Sequence, residues 1–281
     1  EIKTQAHSVE SGTNIGAPNK EEIIVDKVRY KNLIIGKKYK VTGVLMDKEK
    51  NKPILDREDK EISAEKEFVA EKADGEIELE FRYDSALRQD KITVVFETLT
   101  YKNVPIAVHT DINDSAQSIY YPSIGTSMTG KGGTKVVSKA KSVSLTDAVK
   151  YKNLITGRNY TVKGVLMDKK TGKPYEEDGK PVAGSATFKS EGNGTTSVEF
   201  KLNTSKIAGK ELVAYEKVYD DKGKLIATHE DINNRDQTIR VAPPSVPRTG
   251  DGSLLYVYIG LFIASFLALA SLTAIKRCVR L

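Results

Sequence analysis

Residues 26–53 read "DKVRYKNLIIGKKYKVTGVLMDKEKNKP", and residues 147–174 read "DAVKYKNLITGRNYTVKGVLMDKKTGKP". A stretch that returns this closely makes duplication of one unit the first fact about the chain. The offset holds well beyond the quoted segment: it is 121 from Asp26 to Asp147, 119 from Glu97 to Glu216, and 120 from both His109 to His229 and Gln117 to Gln237. Insertions between the copies are therefore very small.

Inside each copy, apolar and polar residues alternate. Tyr39, Val41 and Gly43 fall on one face of "KYKVTGVLM", and Ile77, Leu79 and Phe81 on one face of "EIELEFRY"; "ITVVFETL" continues the series. A period of two predicts strands with one buried face. Turn signals such as "EKNKP", "KTGKP" and "DDKGK" separate them, and no amphipathic run of helical length competes. The expected fold is all-β: two tandem sandwiches, residues 1–121 and 122–241. Between them, "YYPSIGTSMTGKGGTK" reads either as a flexible linker or, because "SIGTSM" sits where "EIKTQA" sits in the first copy, as the start of the second domain.

The chain has 281 residues, 39% hydrophobic and 29% charged, a balance that favours folded domains over disorder. Half of its net charge of +6 lies beyond residue 247: residues 1–247 hold 40 basic and 37 acidic side chains. Without a basic block or interleaved aromatics, this balance argues against nucleic-acid binding. The single cysteine, Cys278, lies in the terminal basic tail, so the repeats contain neither a disulfide nor a cysteine-based metal site. No cofactor is expected. The chain opens at Glu1 without a methionine or an apolar leader, which reads as a mature or truncated secreted product.

Residues 254–275, "LLYVYIGLFIASFLALASLTAI", carry no charge and are followed by "KRCVRL". At about 1.5 Å per residue, 22 residues of helix span a hydrocarbon core of roughly 30 Å. The basic residues predict a cytoplasmic tail, 276–281, with everything before the span outside. Just upstream, in the segment 242–253, Val246, Pro247, Arg248, Thr249 and Gly250 resemble the LPxTG-type sorting signal of Gram-positive surface proteins, with valine in place of the leading leucine. The resemblance implies that a sortase cysteine attacks the Thr249 carbonyl, releases the piece beginning at Gly250, and joins Thr249 to an amine of the peptidoglycan. The membrane helix is then a temporary holding device.

The duplicated unit has motifs of its own. They are "IKT", "DKVRY", "VVFE" and "HTDINDSAQ" in the first copy, and "IGT", "DAVKY", "VAYE" and "HEDINNRDQ" in the second. On these, the copies resemble the T-Q ester-bond domains, also called VaFE repeats, of Gram-positive adhesins. Those domains are immunoglobulin-like sandwiches in which a threonine of the first strand condenses with a glutamine of the last, releasing ammonia.

The resemblance implies a crosslink between Thr4 and Gln117, with Asp26, Glu97 and His109 around it, and a second between Thr126 and Gln237, with Asp147, Glu216 and His229. Ser138 is a rival nucleophile in the second copy, though choosing it requires a large deletion at that copy's start. A primary amide and a threonine hydroxyl both need activation. Two carboxyl groups buried together cannot both ionise cheaply, so the Asp26/Glu97 pair is expected to hold a proton and polarise the Gln117 carbonyl. His109 is expected to take the Thr4 proton and help ammonia leave. A wall-anchored adhesin stalk that turns over once on itself, and so is not an enzyme in the useful sense, is the resulting expectation. Upstream domains would bind a host or surface ligand. A pilus subunit and a secreted hydrolase with a Thr, His and Asp triad are the alternatives.

Overall fold

In the strand Glu22–Tyr30, every second residue points into the protein: Glu22, Ile24, Asp26, Val28 and Tyr30 are buried, while the residues between them are more exposed. This alternation is the geometry of a pleated strand with one face covered, and it recurs in both copies. The computed structural model describes residues 1–243. The sorting motif, the apolar span and the basic tail lie outside the described residues.

Each copy contains eight strands of three residues or more. In the first they are β1 (Ile2–Ser8), β2 (Glu22–Tyr30), β3 (Lys38–Asp47), β4 (Ser63–Val69), β5 (Gly75–Tyr83), β6 (Ile92–Tyr101), β7 (Val104–His109) and β8 (Ser118–Tyr120). The second has β9 (Ser123–Gly130), β10 (Val143–Lys152), β11 (Asn159–Asp168), β12 (Ala183–Lys189), β13 (Gly194–Leu202), β14 (Glu211–Asp220), β15 (Leu225–His229) and β16 (Thr238–Val241). Among the described residues there is no helix.

Two antiparallel sheets face each other in each copy. One is β1-β2-β5, repeated as β9-β10-β13; in the other, β3 pairs with β4 and β6, and β6 also pairs with β7 and β8, an arrangement repeated by β11 to β16. Ile24, Val28, Leu79 and Phe81 of the first sheet pack with Val41, Leu45, Val95 and Leu99 of the second. Leu145, Val149, Val198 and Phe200 form the same layer with Val162, Leu166, Ala214 and Val218 in the other copy. Burying such side chains contributes about 1.5–3 kcal/mol each against leaving them in water.

The segment between the copies is not an extended linker. Tyr120 ends β8, Tyr121 is fully buried in the first core, and Ser123 already begins β9. Ile124, Thr126 and Met128 of β9 point inward, so the Ser, Gly and Thr content of this stretch reflects a short-residue edge strand.

Candidate crosslinking site

Polar residues occupy core positions at one place in each sandwich. On β1, Thr4 lies between inward-facing Ile2 and Ala6; on β2, Asp26 lies between Ile24 and Val28; on β6, Glu97 lies between Val95 and Leu99. The pleat carries each of them to the inner face, and strand pairing then gathers them. Ala6 stands opposite Asp26 and Thr4 opposite Val28, which makes Thr4 and Asp26 diagonal neighbours. Glu97 stands directly opposite His109. Gln117 is brought in by the turn before β8, whose Ala116 carbonyl accepts the N–H of Ala6 at 2.9 Å. The second copy repeats the register: Met128 faces Asp147, Glu216 faces His229, and the N–H of Met128 donates to the Asp236 carbonyl at 2.9 Å.

All five residue types named from sequence therefore meet in each copy. His109 and His229 are the last residues of β7 and β15, not loop residues. Gln117 and Gln237 sit in the turn just before the final strand, not on it. Ser138 is exposed, and its carbonyl accepts a hydrogen bond from Thr204; the hydroxyl beside His229 is that of Thr126.

Asp26, Glu97 and Gln117 are inaccessible to solvent, as are Asp147, Glu216 and Gln237, and the two threonines are nearly so. Burial raises both carboxyls of each pair above their ordinary values, and in Glu97 and Glu216 the neighbouring aspartate pushes the group further up. One proton shared by each pair follows at neutral pH. The same four acceptors lack a partner in both copies: both oxygens of the aspartate, Oε1 of the glutamate and Oε1 of the glutamine. A protonated Glu97 or Glu216 donating to its aspartate satisfies part of this set, since a buried unpaired polar atom costs on the order of 1–3 kcal/mol.

Thr4 Oγ1 lies 3.2 Å from His109 Nδ1, and Thr126 Oγ1 lies 3.2 Å from His229 Nδ1. In the second copy the glutamate bridges the two reactants: Glu216 Oε2 is 3.4 Å from Thr126 Oγ1 and accepts from Gln237 Nε2 at 3.3 Å. Gln237 Nε2 also donates to the carbonyls of Ala214 (2.7 Å) and His229 (3.0 Å). Gln117 Nε2 likewise donates to Glu97. The expected contact between carboxyl pair and amide carbonyl is thus replaced by a contact to the amide nitrogen. Backbone carbonyls can only accept, so those of Ala214 and His229 turn the NH₂ toward themselves and toward the glutamate.

Five places after each histidine stands a residue to which the sequence alone gives no role. Asp114 Oδ2 lies 3.0 Å from His109 Nε2, and Asn234 Nδ2 lies 3.2 Å from His229 Nε2. The signal was present inside "HTDINDSAQ" and "HEDINNRDQ", but a ring partner is recognisable only once the turn is folded.

The family profile of the T-Q ester bond containing domain matches residues 1–121 and again residues 122–241, and the chain belongs to that family. Among solved structures, an adhesin from Mobiluncus mulieris containing intramolecular disulfide, isopeptide and ester bond cross-links is 14% identical, over 87% of this chain and 94% of that one, with a TM-score of 0.35. The C-terminal domain of the Streptococcus agalactiae AgI/II polypeptide BspA is 10% identical, over 86% of this chain and 100% of that one, with a TM-score of 0.40. Likenesses this weak carry no argument about what this chain does. No match was found among curated proteins.

Proposed function

We propose that each domain condenses its threonine with its glutamine, Thr4 with Gln117 and Thr126 with Gln237, and that the crosslinked pair serves as a load-bearing stalk on the outer surface of a Gram-positive cell. The observation that supports this most is the buried Thr, His, Glu and Gln set, built twice with the Thr–His and Gln–Glu contacts common to both copies. His109 takes the Thr4 hydroxyl proton, Oγ1 attacks the Gln117 side-chain carbonyl carbon, and the C–N bond breaks. The hydroxyl proton ends on the departing nitrogen, so the NH₂ leaves as ammonia and no group of the site is consumed. Glu97, whose Oε2 accepts from the amide nitrogen, holds that group in place while His109 returns the proton to it. Each domain reacts once, on itself, which is not enzymatic turnover.

The ester ties the immunoglobulin-like domain's first strand to the turn leading into its last. Pulling force then runs through a covalent bond instead of unzipping the sheets. Sortase anchoring at Thr249, after temporary membrane insertion through residues 254–275, belongs to the same reading, as does an upstream ligand-binding region. A hydrolase requires an open cleft at Thr4 and Gln117, and both are closed off from solvent. Mass analysis of wall-released protein tests the stalk reading: a C-terminal peptide ending in Thr249 and joined to peptidoglycan is expected. Recovery of intact residues 254–281 in wall protein would contradict it, and hydrolysis of added amides or esters would favour the enzyme.

A further inference from the structure

The two sites share every reacting group and differ in what holds the histidine. In the first, Asp114 Oδ1 accepts the N–H of Ala116 at 2.7 Å while Oδ2 faces His109 Nε2. A carboxylate only accepts, so Nε2 carries the ring proton and Nδ1 presents its lone pair to the Thr4 hydroxyl. This is the tautomer that can receive the threonine proton.

In the second site, Asn234 Oδ1 is occupied by the N–H groups of Asp236 (2.8 Å) and Gln237 (3.3 Å). Its NH₂ is therefore the group facing His229 Nε2, and a donor there calls for a lone pair on Nε2 and a proton on Nδ1. Yet Thr126 offers its backbone N–H to Nδ1 at 3.1 Å, which calls for the opposite tautomer. One neutral ring cannot satisfy both donors. The surroundings also support less positive charge on the ring during proton transfer. Lys135 ties Met128 and Asp236 together by their carbonyls, where the first copy has neutral Asn14. Asp236 offsets Lys135 from the exposed side, and Glu230, next to His229, is paired with Lys217 at 3.2 Å. Neither supplies a carboxylate to the ring as Asp114 does.

We infer that Asp114 and Asn234 are positioning residues that set the two crosslinks to different rates, the first site preset for proton transfer and the second slowed by competition between ring tautomers. This rests on the crosslinking reading, and it means that a newly folded chain passes through a state bonded only in its first domain.

The test follows ammonia loss domain by domain, by peptide mass, after refolding the full chain. The first domain is expected to react at least about tenfold faster than the second, a part of the roughly hundredfold to ten-thousandfold that a general base contributes. Asp114→Asn slows the first domain by a similar factor. Asn234→Asp speeds the second, a gain that misfolding cannot imitate. Ring-nitrogen NMR shifts in the Thr4→Ala, Thr126→Ala chain report the tautomers directly: Nε2–H for His109 and a mixture, or Nδ1–H, for His229. Equal rates unmoved by either substitution, with one tautomer at both rings, would overturn the inference while leaving the crosslinks intact. Absence of ammonia loss from either domain would remove the crosslinking reading and this inference with it.

Discussion

Glu97 shows how much a single position reveals before and after folding. In sequence it interrupts an apolar face, and its meaning comes from recurrence with His109 and Gln117 in the second copy. Folding adds that it sits fully buried beside Asp26, where burial and the aspartate's charge raise it above its ordinary value. Which end of the glutamine it touches was not legible: in the second copy, backbone carbonyls with no sequence signature decide the amide's orientation. The raised carboxyls have a consequence for stability. An unfolded chain releases these protons near the ordinary glutamate value of 4.5, whereas the folded chain keeps them. Their contribution is fully present below about 4.5 and is lost as pH rises through neutral toward the folded values. The depressed groups Asp47 and Asp168 act only below 3.8, while Glu22, raised by burial, adds a smaller slope of the same sign in every variant. In a Thr4→Ala, Thr126→Ala chain, which keeps both amides, melting temperature is expected to fall from pH 5 to pH 9. Adding Glu97→Gln and Glu216→Gln should flatten that slope; a rising melting temperature over the same range would refute the shared protons.

At the scale of elements, the repeat and its two-residue period made the strands readable. Gly43 and Gly164 appear in that pattern as members of an inward face, and the structure shows why a side chain is missing there. They stand opposite Glu97 and Glu216 in the strand register. A Cβ at Gly43 would fall 2.6 Å from Phe81 Cζ, and one at Gly164 would fall 2.6 Å from Phe200 Cζ and 3.1 Å from Glu216 Oε1. Alanine at either position should cost about 1–3 kcal/mol through overpacking. Gly164→Ala also presses on the carboxyl that bridges Thr126 and Gln237, so it should slow the second crosslink, whereas the three atoms nearest a Cβ at Gly43 are all apolar. Melting curves and ammonia loss measured together separate the two effects, and equal slowing by both substitutions would contradict the bridging role. What the pattern did not give were the ends of elements. Gln117 lies one residue outside β8 because the turn from Asp111 to Ala116 is held by its own side-chain caps, and "SIGTSMTG" forms a strand although its composition suggests a linker.

Across the whole molecule, the proposed crosslinks join, in each of two domains without cysteine in their cores, a residue of the first strand to the residue that precedes the last. Constraining so long a loop limits the unfolded chain by about 5 kcal/mol on the entropic account used for disulfides, a large share of the 5–15 kcal/mol typical of a domain. Duplication made this architecture legible, since one copy alone offers only a histidine, a glutamine and scattered carboxylates. The measurement that tests the central claim most directly is the intact mass of the folded protein. It should fall short of the sequence mass by two ammonias, and Thr4→Ala and Thr126→Ala should each restore one. The full sequence mass, found in protein that melts cooperatively, would contradict the account.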